Sequence, residues 1–138
     1  MVNAAVHLPV PQNEPVRTYV PGSAERLALK AKLKEMQNQQ VEIPLIIGGK
    51  EIRTGDTENI VLPHNHKHVV GKFHRASPKE VGMAIEAARD AYKMWSHMDW
   101  ESRAAIFIKA SDMITLTDWR DIINASTMLG QSKNVHQA

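Results

Sequence analysis

The sequence predicts an α+β fold, as it stands, in which helices accompany short peripheral antiparallel strands. Two observations support this prediction. Residues 77–128 contain three successive helical patterns, and residues 43–76 contain two pairs of short β-prone runs. With 138 residues, 43% of them hydrophobic, the chain has the size of one domain and enough apolar side chains for a packed core.

The composition excludes several classes of site within this sequence. It contains no cysteine, so disulfides, thiolate metal sites and cysteine nucleophiles are all excluded. The net charge of +2, from 17 basic and 15 acidic residues, is too small and too dispersed for a nucleic-acid surface. No apolar run approaches the roughly 20 residues that cross a bilayer. We therefore expect neither a nucleic acid nor a membrane as a partner.

The first part of the chain predicts an extended arm over residues 1–22, because four prolines interrupt it. Residues 1–19 lack the charged and apolar blocks of a secretory signal. A single arginine, an acidic Glu14 and the absence of serine also argue against a mitochondrial transit peptide. On these grounds a cytoplasmic protein is expected.

Residues 23–40 are expected to form a helix and a linker. Ser23 is a suitable N-cap, and the helical pattern continues to about Gln37. The apolar stripe of this helix consists of Leu29, Leu33 and Met36. A second row, at four-residue steps, consists of Arg26, Lys30 and Lys34. This row is interpreted as a solvated helix face rather than a binding surface for acidic partners, because three exposed charges bind little.

Two strand pairs are predicted next, at residues 43–52 and 59–76. Gly48-Gly49 indicates the tight turn of the first pair, since a type I′ turn needs positive φ at both central residues. In the second pair, residues 59–63 and 68–76 flank a loop that contains His64, His66 and His68. Three histidines could bind zinc if a strand aligned them, but turn formers among them favour a surface turn. No metal site is therefore assigned.

The helices of residues 77–128 each have a start signal. Ser77-Pro78-Lys79-Glu80 is a capping box with proline at the first helical position. Helices are predicted at about residues 78–96, 100–115 and 118–129, with Gly130 ending the last and a truncated helix starting at Ser132. Three tryptophans near the helix ends are interpreted as side chains that fill the corners between helices, namely Trp95, Trp100 and Trp119.

Read together, these segments resemble the N-terminal part of the aldehyde dehydrogenases, and in particular the Δ1-pyrroline-5-carboxylate dehydrogenase subfamily. The segments that carry the resemblance follow one another in order from Glu14 onward. They are Glu14-Pro15-Val16, Pro21-Gly22-Ser23-Ala24-Glu25-Arg26, Ile43-Pro44 with Gly48, Pro63-His64-Asn65-His66, Lys72-Phe73, Ala84-Ile85-Glu86-Ala87-Ala88, Trp95, Arg103-Ala104-Ala105-Ile106-Phe107-Ile108-Lys109-Ala110, Asp112-Met113, Thr127-Met128-Leu129-Gly130-Gln131-Ser132-Lys133 and Gln137-Ala138.

The resemblance implies a parent enzyme that oxidises L-glutamate γ-semialdehyde to glutamate with NAD in proline catabolism. It also implies a small-molecule aldehyde substrate, a homo-oligomeric parent, and the mitochondrial matrix if the source is eukaryotic. Residues 41–138 then correspond to an incomplete N-terminal part of the NAD-binding domain of the α/β aldehyde dehydrogenase fold.

The family's chemistry uses a cysteine nucleophile, a glutamate that activates water, and an oxyanion site. All of these groups lie further along the family's sequence than Ala138. No catalytic, cofactor-binding or metal-binding residue is therefore assigned, and this chain alone is expected to be inactive and not to bind NAD. The alternative is a freestanding helical module that binds another protein without catalysis. The reading frame downstream of codon 138 distinguishes the two hypotheses.

Overall fold

The computed structural model describes Val10 and residues 14–138. Within these residues four helices are formed, namely α1 (Ala24–Asn38), α2 (Pro78–Trp95), α3 (Trp100–Leu116) and α4 (Trp119–Gln131). The strands in the same residues are β1 (Val41–Ile43), β2 (Leu45–Ile47), β3 (Lys50–Ile52), β4 (Thr57–Leu62) and β5 (Asn65–His74). This confirms the predicted α+β class. None of the helices in this described part is long and apolar enough to cross a membrane.

The structure describes only part of the predicted arm of residues 1–22. Residues 1–9 and 11–13 lie outside the described residues. Residues 14–20 form neither helix nor strand, and α1 follows with Ser23 as its N-cap, as predicted. The division into an arm, a helix with linker and a partial domain stays a prediction.

The strands form two separate sheets. In the first, β5 lies between β1, which is parallel to it, and β4, which is antiparallel. In the second, β2 and β3 form the predicted hairpin around Gly48 and Gly49, and both glycines have positive φ. The assignment of Ile43 to this hairpin was wrong, since Ile43 pairs with Phe73 of β5. Pro44 has no N–H to donate to the hydrogen-bond ladder between strands, so the chain passes from one sheet to the other at this residue.

The second predicted strand pair is longer than expected. β5 begins at Asn65 and β4 ends at Leu62, which leaves only Pro63 and His64 in the turn. The predicted loop around His66 and His68 was therefore wrong, because both residues belong to β5. The pairing between β4 and β5 is irregular next to Val61, consistent with a β-bulge at this end of the hairpin.

The end of α4 also differs from the prediction. The helix continues through Gly130 to Gln131, and Ser132 is its C-cap with a φ of 52°. Ser132 does not cap the truncated helix that was expected there. A single helical turn starts instead at Asn134, whose side chain accepts from the N–H of His136 at 3.0 Å while its own N–H donates to Gln137 Oε1 at 3.0 Å, as in a capping box. The N–H of Ala138 donates to the carbonyl of Asn134 at 3.1 Å, so the turn begins two residues later than predicted.

The small apolar core lies where α1 packs against α4. Tyr19, Leu29 and Ala125 are buried there, and four half-buried side chains surround them, namely Leu33, Met36, Met128 and Val135. The predicted stripe of α1 is thus its core face. The prediction that the tryptophans fill corners between helices was wrong for two of them, because Trp100 is 66% exposed and Trp119 is 45% exposed. Among the described residues, the larger sheet does not lie across α2 or α3, and only the β2–β3 hairpin contacts α2.

Candidate functional site

The junction between residues 14–20 and the two core helices is the best-defined polar site of the described chain. The Tyr19 ring is buried, although its φ of 51° is uncommon for a residue with a side chain. Its carbonyl accepts a hydrogen bond from Arg26 of α1 at 3.2 Å, and its hydroxyl accepts one from Asn124 of α4 at 3.3 Å. Glu14 forms an ion pair with Arg120 of α4. These contacts hold residues 14–20 against both helices.

A cleft lies between this segment and α3. It encloses about 710 Å³ and is open to solvent. Charged walls of both signs are provided by Glu14 and Arg17 on one side and Asp112 on the other. The remaining lining is Pro15, Ser111, Thr115 and Leu116. Among the described residues that line this cleft there is no thiol and no imidazole, and its carboxylates are Glu14, which is paired with Arg120, and Asp112.

A buried histidine joins the strands of the first sheet. His74 accepts a hydrogen bond at Nδ1 from the N–H of Gly55, at 3.2 Å, and therefore donates from Nε2 to Glu42 at 2.8 Å. Lys72 Nζ lies 2.9 Å from the other oxygen of Glu42. The hydrogen bonds from His74 and Lys72 lower the pKa of Glu42 to about 2. Both polar nitrogens of His74 are occupied, so this group ties strands together rather than moving protons.

His64 and Ser132 form a hydroxyl–imidazole pair that sequence reasoning missed. His64 Nδ1 lies 3.1 Å from Ser132 Oγ, although the residues are 68 positions apart. A nucleophilic serine needs a base that a third group orients. Among the described residues no carboxylate contacts His64. The pair therefore connects the β4–β5 turn to the end of α4 without the features of a catalytic dyad.

The three histidines considered for zinc do not converge. His64 contacts Ser132, whereas His68 Nε2 lies 2.7 Å from the carbonyl of Gln37. Within the residues that the structure describes, no group of three histidine, aspartate or glutamate side chains could hold a metal ion. The two histidines are instead tied to different parts of the chain.

Among the helices that the structure describes, only α2 starts directly after a strand of the larger sheet, which is the arrangement of a dinucleotide site. In this structure the capping box occupies the helix start. Ser77 accepts a hydrogen bond from the N–H of Lys79 at 3.2 Å, and buried Glu80 accepts one from the N–H of Ser77 at 2.9 Å. The pKa of Glu80 is lowered, chiefly by its hydrogen bonds to Ser77. A carboxylate at this position repels phosphate, so the helix start does not fit a dinucleotide. The expectation that no residue here contacts NAD stays a prediction.

Comparison with known proteins identifies the family. The model of the aldehyde dehydrogenase family matches residues 52–138. The chain belongs to the aldehyde dehydrogenase family. Among curated aldehyde dehydrogenases, a Δ1-pyrroline-5-carboxylate dehydrogenase of Agaricus bisporus is 43% identical over 98% of this chain, and the mitochondrial human enzyme of that name is 42% identical over 91%. The aligned region covers 25% and 22% of these two relatives, so the chain spans about a quarter of their length.

Solved structures of aldehyde dehydrogenases contain the same fold. The Δ-pyrroline-5-carboxylate dehydrogenase of Mycobacterium tuberculosis, bound with NAD, has a TM-score of 0.90 and 37% identity over 99% of this chain. The match covers 25% of that chain. A 1-pyrroline-5-carboxylate dehydrogenase of Thermus thermophilus has a TM-score of 0.78 and 25% identity. The α+β arrangement described above is thus an N-terminal part of the aldehyde dehydrogenase fold.

Proposed function

We propose that this chain is part of an NAD-dependent dehydrogenase that oxidises L-glutamate γ-semialdehyde, derived from Δ1-pyrroline-5-carboxylate, to glutamate in proline catabolism. The single observation that carries the proposal is the match to the NAD-bound mycobacterial enzyme, with a TM-score of 0.90 over 99% of the chain. Curated relatives of the same name align across 98% of the chain, at 38% identity for Dictyostelium discoideum and 43% for Agaricus bisporus.

The role of residues 1–138 in that enzyme is structural. The sequence contains no thiol, and a capping box occupies the start of α2. These two observations support a parent enzyme in which the substrate, NAD and the catalytic groups lie in the rest of the polypeptide. We expect this chain alone to form no NADH from the semialdehyde.

The proposed compartment follows from the names of the relatives. The human and Dictyostelium discoideum enzymes are called mitochondrial. We accordingly propose the mitochondrial matrix if the source is eukaryotic and the cytoplasm otherwise. A homo-oligomeric parent enzyme stays part of the proposal.

A chimera tests the proposed function. Residues 1–138 replace the segment of the Agaricus bisporus enzyme with which they align, and NADH formation from L-glutamate γ-semialdehyde and NAD is measured. We expect activity from the chimera and none from the 138-residue chain alone. A soluble, folded chimera without activity would contradict the proposal, and so would steady NADH formation by the chain alone. The unaltered Agaricus bisporus enzyme is the positive control.

A further inference from the structure

Residues 53–56 join the β2–β3 hairpin to β4 of the first sheet. They are also bound to Arg75, which follows β5 and leads to α2. Thr54 Oγ1 donates to the carbonyl of Arg75 at 3.0 Å, and the N–H of Arg75 donates to the carbonyl of Asp56 at 2.8 Å. The connections at residues 53–56 and 75–77 therefore hold each other in place.

The hairpin and α2, together called the hairpin–α2 unit, contact each other more than they contact the first sheet. A Cβ added at Gly48 of the hairpin would lie 3.6 Å from the Cβ of Ala87 on α2. Within the described residues, the position of this unit relative to the first sheet therefore depends on its connections to that sheet. They are the residue Pro44 and the two connections at residues 53–56 and 75–77.

His74 of β5 holds the connection at residues 53–56. Its side chain is only 3% exposed. Nδ1 accepts a hydrogen bond from the N–H of Gly55 at 3.2 Å, while Nε2 donates to Glu42 at 2.8 Å. Only a neutral imidazole can accept at one nitrogen and donate from the other. A proton on Nδ1 removes the acceptor and leaves two N–H groups facing each other.

The charges around His74 determine which of its two hydrogen bonds is lost. Glu42 is ionised from pH 7.5 to 5, because hydrogen bonds from His74 and Lys72 lower its pKa to about 2. This carboxylate stabilises a positive charge on His74, whereas Lys72 and Arg53, at 2.9 and 3.6 Å from the Glu42 oxygens, oppose it. The other charged side chains nearby are paired, namely Arg75 with Asp56 and Glu58, and Arg53 with Glu51. The bond to Glu42 therefore survives protonation, and the bond to Gly55 does not.

We propose that protonation of His74 releases residues 53–56 and thereby lets the hairpin–α2 unit move relative to the first sheet. Because the bound form needs a neutral His74, a proton favours the released form. The connection is held while His74 is neutral, and it is released as the pH falls through the range in which histidines ordinarily become charged, about pH 6.5. The inference does not depend on the reaction of the parent enzyme.

Amide hydrogen exchange tests the release. In the chain labelled with 15N, exchange of the Gly55 N–H is measured by NMR at pH 7.5 and pH 5, and each rate is divided by the intrinsic rate at that pH. We expect the protection of Gly55 to fall by about tenfold, as for the loss of one hydrogen bond. The N–H of Val81, bound to the carbonyl of Ser77 at 3.1 Å, is the control and should keep its protection. Equal protection of Gly55 at the two pH values would overturn the proposal.

Three variants assign the response to His74. His74→Gln removes the titrating group, so Gly55 should be equally protected at both pH values. His66→Gln, the same change at an exposed position of the same strand, should leave the response intact. Glu42→Gln removes the charge that stabilises the imidazolium, so the fall in protection should move to lower pH. A response that survives His74→Gln, or one that Glu42→Gln leaves at the same pH, would overturn the proposal.

Spin labels measure the movement itself. The sequence contains no cysteine, so Lys50→Cys on the hairpin and Lys67→Cys on β5 provide two unique labelling sites, both exposed. We expect the distribution of distances between the labels to broaden from pH 7.5 to pH 5, and to be the same at both pH values with His74→Gln. An unchanged distribution with His74 present would overturn the proposal. If the chain is insoluble at pH 5, hydrogen exchange of residues 53–57 in the chimera, followed by mass spectrometry, makes the same comparison.

Discussion

Glu42 of β1 and His74 of β5 are joined by a hydrogen bond of 2.8 Å, in which His74 Nε2 is the donor. The pair crosses the parallel edge of the first sheet, where β1 is only three residues long. So short a strand contributes few ladder hydrogen bonds. The side-chain contact is therefore a substantial part of what holds β1 to β5.

Glu42→Gln should lower the stability of the chain at neutral pH and flatten its acid dependence. The native pKa of Glu42 is lowered from 4.5 to about 2, so its contribution is complete above pH 4.5 and is lost as the pH falls toward 2. Urea unfolding at pH 7 and at several values between 4.5 and 2 measures this effect. Glu51→Gln, at an exposed carboxylate paired with Arg53, is the control and should change little. Identical acid profiles for wild type and Glu42→Gln would refute the prediction.

Gly71→Ala should push β1 away from β5. A Cβ at Gly71 would lie 2.5 Å from the carbonyl oxygen of Val41 and 2.8 Å from its Cγ2, and the backbone oxygen cannot move aside easily. Overpacking of this kind costs about 1–3 kcal/mol. Gly82→Ala on α2 is the matched control, because its Cβ meets nothing within 4 Å and alanine favours a helix. Denaturant unfolding of both variants should give opposite signs, and a stabilising Gly71→Ala would contradict the reasoning.

Ser77→Ala should destabilise the start of α2 by about 1 kcal/mol, the usual cost of a lost N-cap. The structure shows the full capping box, with the Ser77 side chain accepting from the N–H of Lys79 and Glu80 accepting from the N–H of Ser77. Ser126→Ala, at an exposed position within α4, serves as the control and should cost nothing. The unfolding midpoint is the measurement, and equal midpoints for the two variants would mean that the cap is unimportant.

Zinc at equal concentration should leave the thermal stability of the chain nearly unchanged. Only binding to the native state stabilises it, and the hydrogen bonds of His64 and His68 lead to different parts of the chain. Thermal unfolding with and without zinc is the measurement, with His66→Ala as the comparison. A rise of several degrees that His66→Ala abolishes would show that the histidines do converge on a metal.

Local patterns predicted those elements whose signals lie close together in the chain. Ser23 and Ser77 cap helices because their hydroxyls reach N–H groups two or three residues away. Gly48 and Gly49 form a turn because their own φ angles allow it. The prediction at Ser132 was wrong, since a serine has the same local signature before a helix as at the positive φ that ends one.

These local patterns could not predict which strands or side chains pair with one another. Ile43 and Leu45 have similar β-prone surroundings, yet one pairs with Phe73 and the other with Ile52. His74 has no distinctive neighbours in the sequence, and its role depends on Glu42, 32 positions away. Contacts of this kind depend on the packing of the whole chain.

By itself, the sequence determined the α+β class, the positions of the helices and the resemblance to the aldehyde dehydrogenases. The absence of cysteine also determined that no thiol chemistry takes place in this chain. Only the tertiary structure decided that Tyr19, Leu29 and Ala125 share one small core and that α3 stays exposed. The physical reason is that periodicity identifies which side chains need burial, whereas the surface that buries them is set by segments distant in the sequence.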